Sequence, residues 1–195
     1  MAKKKKALES FQIEQLPNKR EVELYVLASL LQNNQEEAIL ALNEDVFFHK
    51  DLKEIFRSAR RVKAEKGELN ILHVLSDMEA DKISINTLDA IGRETLGAEW
   101  SGNLDDIRGL QRKAFTSTMS YLQGMGAGAA IYEKIQELKD LYASRMAQKA
   151  ATLLANSAKL GADKVLECMA EVQTDLTRAS AQNFASIFQN KTRES

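Results

Sequence analysis

Proline, cysteine and histidine are scarce in this chain of 195 residues. It contains one proline, one cysteine and two histidines. All-β domains usually need several proline- and glycine-rich turns, so the single proline argues against that class. One cysteine excludes a disulfide within the chain and fits a reducing compartment. The two histidines, His49 and His73, lack the spacing of a helical zinc motif, and we expect both to be structural.

Long hydrophobic runs and a strong net charge are also missing. The apolar runs are far shorter than the roughly 20 residues that cross a bilayer, and no apolar stretch follows the N-terminal lysines to make a signal peptide. We therefore expect a cytoplasmic protein with no membrane contact. The formal net charge is −1, so composition gives no case for tight nucleic-acid binding. Single-stranded DNA is expected to bind only weakly.

The residues that are present favour helices. Hydrophobic residues make up 44% of the chain and charged residues 28%, which is typical of a folded, helix-rich protein. We predict an all-α fold, with a compact helical bundle followed by a long antiparallel helical hairpin and the start of a linker helix. The predicted parts are a flexible basic leader over 1–16, a globular helical domain over 17–123, a glycine-rich joint over 124–130, a helical hairpin over 131–180, and the start of a linker helix over 181–195.

Hydrophobic periodicity and capping residues predict the helices of the globular part. The first has almost no polar side, so we expect other helices to surround it. Gly67 is expected to end the third helix as a left-handed cap. The segment 100–123 is less regular, and Asn103 is a candidate cap for a helix within it. The predicted helices run over 21–32, 35–42, 50–65, 70–78 and 86–96.

Beyond the glycines, two apolar stripes with helical spacing lie on either side of Gly161. The first belongs to a helix of about 28 residues, or roughly 42 Å. A hairpin of this length cannot bury both stripes against a small domain, so we expect part of it to pack on another subunit or protein. Alternatively, the stripes pack only on each other; we expect one edge to pack internally and the other between chains. The interface candidates are Ile135, Leu138, Tyr142, Met146, Val165, Met169 and Val172.

No catalytic, cofactor-binding or metal-binding residue is predicted. The stretch GMGAGAA over 124–130 has no lysine or hydroxyl at the offset that a P-loop requires, and no strand precedes it as in a dinucleotide site. We interpret it as a flexible joint. Neighbouring carboxylates such as Asp105 and Asp106 diverge on a helix and suit a first turn rather than acid–base catalysis. Trp100 is expected to be a packing anchor rather than a platform for a stacked base.

Four segments together resemble a known family. They are LPNKREVELYVLASLLQNN (16–34), EDVFFHKDLKEIFRSARRVKAEKGELNILHVL (44–75), IYEKIQELKDLYASRMAQKAATLL (131–154) and GADKVLECMAEVQTDL (161–176). In this order they resemble the N-terminal portion of the hexameric replicative DNA helicases of the DnaB type, over about 17–190. The chain departs from that pattern at Ala28, Leu52 and Asn70, where the family often has glycine, histidine and aspartate.

The resemblance implies a non-catalytic collar domain. Such domains pair through their hairpins into trimers of dimers and bind primase or a helicase loader. Phe184, Ile187 and Phe188 are similar to the start of a linker helix that docks on a neighbouring subunit. The ATP- and magnesium-binding motor of the family is not in this chain, so we expect it to be inactive alone and Ser195 to precede such a motor. The alternatives are a stand-alone regulatory protein that binds a helicase ring and an unrelated helical scaffold.

Overall fold

A computed structural model describes residues 17–32, 36–121 and 131–180. All regular structure within these ranges is helical, which confirms the all-α prediction. The predicted leader, glycine-rich joint and linker helix lie outside the described residues, as do Phe184, Ile187 and Phe188. The α-helices are α1 (Arg20–Gln32), α2 (Glu36–Ala41), α3 (Lys50–Lys66), α4 (Ile71–Ala80), α5 (Lys82–Leu96), α6 (Leu104–Tyr121), α7 (Ile131–Ser157) and α8 (Ala162–Ser180), and 3₁₀ turns occupy Glu44–Val46, Gly97–Glu99 and Ala158–Leu160.

The described chain divides into two compact units. The first, which we call the bundle unit, contains α1 to α6 and the beginning of α7, up to Leu138. The second, which we call the two-helix unit, contains the rest of α7 together with α8 and residues 17–19. The change from one unit to the other therefore falls within a continuous helix. The predicted domain boundaries at 124–130 remain a prediction, because those residues are not described.

The core of the bundle unit is built around α1 and α3. Val26, Leu27 and Leu30 of α1 have 0% exposure, as its nearly unbroken apolar sequence predicts. Helix α3 contacts five helices, α1, α2, α4, α5 and α6. Its Phe56 is also fully buried, and the ring packs on Phe47 with a centroid distance of 4.8 Å. The aromatic pair thus joins α3 to the turn that precedes it.

Local hydrogen bonds fix the helix ends of the bundle unit. Gly67 has a φ of 73° and ends α3, so the predicted left-handed cap is confirmed. The Asn70 side chain accepts from the backbone N–H of Leu72 at 2.9 Å and so begins α4. Helix α5 begins at Lys82, four residues before the start predicted at 86. The reason is Asp81, whose carboxylate accepts from the backbone N–H of Ser84 at 2.9 Å and so caps the earlier start.

Within the irregular segment 100–123, residues Leu104–Tyr121 form one helix, α6. Asn103 caps it as expected, with its side-chain oxygen accepting from the backbone N–H of Asp106 at 2.8 Å. Thr118 is buried and donates its hydroxyl to the Ala114 carbonyl at 2.9 Å. This bond within the helix satisfies the hydroxyl, so a threonine that weakens a helix prediction is tolerated here.

Candidate protein-interaction surface

The apolar stripe of α7 begins in the bundle unit. Ile131, Ile135 and Leu138 follow one another at four- and three-residue steps, which places them on one face of the helix. Their exposures are 0%, 4% and 0%. Two of the predicted interface residues, Ile135 and Leu138, are therefore buried within this chain and offer almost no accessible area to a partner.

The same stripe is less covered in the second half of α7. Tyr142 and Met146, both predicted interface residues, are half-buried. Ala150 is buried with 8% exposure, whereas Leu153, one turn further on, is 51% exposed. The second half of the stripe is thus only partly covered, and Leu153 is its most accessible large apolar side chain.

The apolar side chains of α8 are buried on one side of the helix and exposed on the other. Cys168 is buried at 8% exposure, and Val165 and Val172 are half-buried. Met169 is 52% exposed and Leu166 is 65% exposed. Leu166 and Met169 lie three residues apart and are neighbours on the helix surface. Leu166 and Met169 of α8 and Leu153 of α7 are the exposed large apolar residues of the described two-helix unit, and we call the three together the outer edge.

Trp100 is a packing anchor, as expected. Its indole N–H donates to the Asp89 carboxylate at 2.8 Å. The ring lies so close to the backbone of Gly92 that a Cβ atom there would approach Trp100 to 2.3 Å. Glycine at this position of α5 is therefore required by the ring, and the ring face against α5 is not open to a base.

Two arginines of α3, Arg57 and Arg61, are held by carboxylates. Arg57 donates to Glu44 and Glu54, each at a shortest distance of 2.8 Å. Arg61 pairs with Asp77 at 2.7 Å. The hydrogen bonds from Arg57 lower the pKa of Glu44, whereas burial raises the pKa of Glu54 although Arg57 opposes it. Because these cations already have partners, they offer little attraction to a phosphate backbone.

Glu23 is a buried acidic residue of α1 that belongs to the resemblance noted in 16–34, but its contacts could not be predicted from the sequence. Its carboxylate has 0% exposure and accepts from the backbone N–H groups of Phe48 and His49, each at 3.0 Å. His49 precedes the first turn of α3, where free N–H groups attract an anion. The His49 ring nitrogen Nδ1 is also 3.0 Å from Glu23. This arrangement joins α1 to the start of α3 and is structural.

The described residues contain neither a metal-binding cluster nor a membrane-spanning helix. Among residues 17–32, 36–121 and 131–180, no group of three or more histidine, cysteine, aspartate or glutamate side chains is arranged to hold a metal ion. Within these ranges, no helix has both the length and the apolar character needed to cross a bilayer.

Comparison with known families identifies the first part of the chain. Residues 15–105 match the family model described as DnaB-like helicase N terminal domain. These residues form a DnaB-like helicase N-terminal domain. Neither the curated proteins nor the solved structures contain a match to the chain.

The match to the DnaB-like domain covers α1 to α5 and ends as α6 begins. The resemblance noted in 44–75 therefore lies within the matched region. The resemblance of 131–154 and 161–176 to the family's hairpin lies beyond it and stays a prediction. Helix α6 nonetheless belongs to the same compact body as the DnaB-like domain, since it contacts α1 and α5 and buries Ile107 and Phe115.

Proposed function

We propose that this chain is the assembly, or collar, region of a replicative DNA helicase. In this role it is non-catalytic and holds helicase subunits together through contacts between its two-helix units, first as dimers and then as a hexamer. The observation that carries the proposal is the DnaB-like helicase N-terminal domain over residues 15–105, followed by helices whose apolar outer edge is accessible.

The energetics favour a protein partner for the outer edge. Leu153, Leu166 and Met169 each have more than half of their area exposed. Burying a leucine or methionine side chain fully contributes about 1.5–3 kcal/mol. Three such side chains, brought against the same edge of a second copy, can offset a substantial part of the cost of association. A contact of this kind is isologous, because each copy supplies the same residues.

The proposed partners beyond a second copy are a primase and a helicase loader, as part of a primosome in the cytoplasm. ATP and magnesium would be used by the motor of the assembled helicase rather than by this chain. Direct binding to single-stranded DNA is expected to be weak, because Arg57 and Arg61 are engaged by carboxylates within the bundle unit.

Sedimentation analysis tests the proposal directly. The chain should associate between about 1 and 100 µM, and the double substitution Leu166→Glu/Met169→Glu should weaken this association by about 100-fold or more, since it places charge on the outer edge. Glu171→Lys is the control, because Glu171 is exposed on α8 and lies on the other side of the helix from Leu166 and Met169 at 3.6 residues per turn; it should leave association within a few-fold of the original. A chain that stays monomeric, or a double variant that associates normally, would contradict the proposal.

A further inference from the structure

Arg145 is an unusual residue in the two-helix unit because its side chain is buried. It lies in the middle of α7 and has 3% exposure. A buried guanidinium is costly unless its donors have partners. Its Nη1 donates to the backbone carbonyl of Pro17 at 3.1 Å, a bond that spans 128 positions of sequence. Its Cζ also lies 5.7 Å from the centre of the Tyr142 ring, within the range of a cation–π contact.

The Pro17 carbonyl is suited to receive this bond. Helix α1 begins at Arg20, so Lys19 takes the cap position and its carbonyl accepts the first bond within the helix. The Pro17 carbonyl lies two residues earlier and has no acceptor role in that helix. Proline also has a fixed φ and no N–H group, which limits the conformations available to this segment. Arg145 therefore meets a short, stiff piece of chain with a free acceptor.

We infer that Arg145 clamps residues 17–19 onto α7 and that this clamp restricts the interaction surface to the outer edge. The inference rests on the proposed function for the identity of the partner. Tyr142 is one turn before Arg145 on the same face, and its ring lies 5.7 Å from the Arg145 guanidinium, so the segment that Arg145 holds lies beside this part of the stripe. Leu153 lies eight residues beyond Arg145, or about 12 Å along the helix, and stays accessible. Arg145 thus holds residues 17–19 against one part of α7 and leaves the part around Leu153 accessible to a partner.

Trypsin cleavage tests the clamp in the full chain at a concentration where it is monomeric. Lys19 is exposed, and cleavage after it requires local release of the surrounding segment. Arg145→Met should raise the rate of this cleavage by at least about tenfold, the scale expected when a charge-assisted hydrogen bond is lost. Arg145→Lys keeps one cationic donor and should restore part of the protection. Arg112→Met, which removes an exposed arginine of α6 paired with Glu79, should leave the rate unchanged.

Global unfolding is measured on the same variants by circular dichroism. A cleavage rate at Lys19 that is the same in Arg145→Met and the original chain would overturn the clamp. So would a rate that rises only in proportion to the loss of global stability. If Arg145→Met does not fold, Arg145→Lys alone decides, because the clamp predicts faster cleavage at Lys19 in that variant with an unchanged unfolding midpoint.

Self-association of two variants tests whether the interaction surface is restricted to the outer edge. Tyr142→Ala should leave self-association within a few-fold of the original, whereas Leu166→Glu/Met169→Glu should weaken it by about 100-fold or more. Equal loss of association in both variants would overturn the restriction. The cleavage measurement does not depend on association, so a chain that fails to associate contradicts the proposed function and leaves the result for the clamp intact.

Discussion

The bundle unit and the two-helix unit use similar helical patterns but bury them to very different degrees. In the bundle unit, α1 and α3 carry rows of apolar side chains with almost no exposure. In the described residues of the two-helix unit, Ala150 and Cys168 are the buried apolar side chains, and both are small. Leu153, Leu166 and Met169 stay at least half exposed. A regular apolar stripe therefore becomes a core only where other helices cover it, and otherwise it is a surface for a partner.

The largest expected contrast comes from truncating one large apolar residue in each unit. Phe56→Ala removes a fully buried ring that packs on Phe47 and should lower the free energy of unfolding by about 3–5 kcal/mol. Leu166→Ala should change it by less than about 0.5 kcal/mol in the dilute monomer, because the side chain is 65% exposed. Urea unfolding of both variants measures the difference. A loss of similar size for Leu166→Ala would mean that the outer edge is packed within the chain.

A smaller contrast lies within the bundle unit, between two glycines in helices. A methyl group at Gly92 would approach the Trp100 ring to 2.3 Å, whereas nothing lies within 4 Å of a Cβ added at Gly109. Gly92→Ala should therefore lose about 1–3 kcal/mol of stability through overpacking. Gly109→Ala should gain about 0.5–1 kcal/mol, since alanine favours the helix. Thermal unfolding of the two variants checks the opposite signs, and two changes of the same sign would refute the role given to Trp100.

The smallest expected effects concern two carboxylates of α3, whose contributions to the stability of the fold depend on pH in opposite ways. Burial alone would raise the pKa of Asp51, but the hydrogen bonds and charge of Arg20 outweigh it, so the pKa is lowered. Asp51 therefore stabilises the fold above its unfolded pKa of about 4, and this contribution is lost as the pH falls through the folded value. For Glu54, burial raises the pKa. Its contribution is full below the unfolded value and is lost as the pH rises through the folded value.

Substitution separates these two contributions. Asp51→Asn should lower stability at pH 7 by about 1 kcal/mol, because it weakens the paired hydrogen bonds from Arg20, and by less at low pH. Glu54→Gln should remove the part of the pH dependence in which stability falls as the pH rises above the unfolded pKa of about 4. Urea unfolding at several pH values measures both. If Glu54→Gln leaves the shape of the pH profile unchanged, the assigned shift of Glu54 is wrong.

Features that depend on nearby sequence could be predicted. The nearly all-apolar α1, the stripe of α3 and the left-handed cap at Gly67 each follow from residues within one helix or its end. Packing is a more common role for a lone tryptophan than stacking on a base, so the role of Trp100 could be predicted. Its contact with Gly92 could not, because that contact depends on how the loop after α5 turns back. The predicted start of α5 is four residues too late, because Asp81 caps the helix at Lys82.

Features that depend on distant residues could not be predicted. Glu23 looks like a polar interruption of α1, and its meaning depends on N–H groups 25 and 26 positions away. The periodicity of α7 identified its stripe, but it could not separate Ile135 and Leu138, which are buried, from Leu153, which is exposed. Leu166 is not among the predicted interface residues, although it is 65% exposed. Exposure at each position is set by neighbouring helices, which a single sequence does not specify.

The most direct test of the contrast between the units is amide hydrogen exchange at two protein concentrations, one below and one above the onset of association. The account predicts that protection of the α8 amides around Leu166 and Met169 rises with concentration, while protection in α3 around Ile55 and Phe56 does not change. Protection of α8 that is the same at both concentrations, under conditions where sedimentation shows an oligomer, would contradict the assignment of the outer edge as the assembly surface.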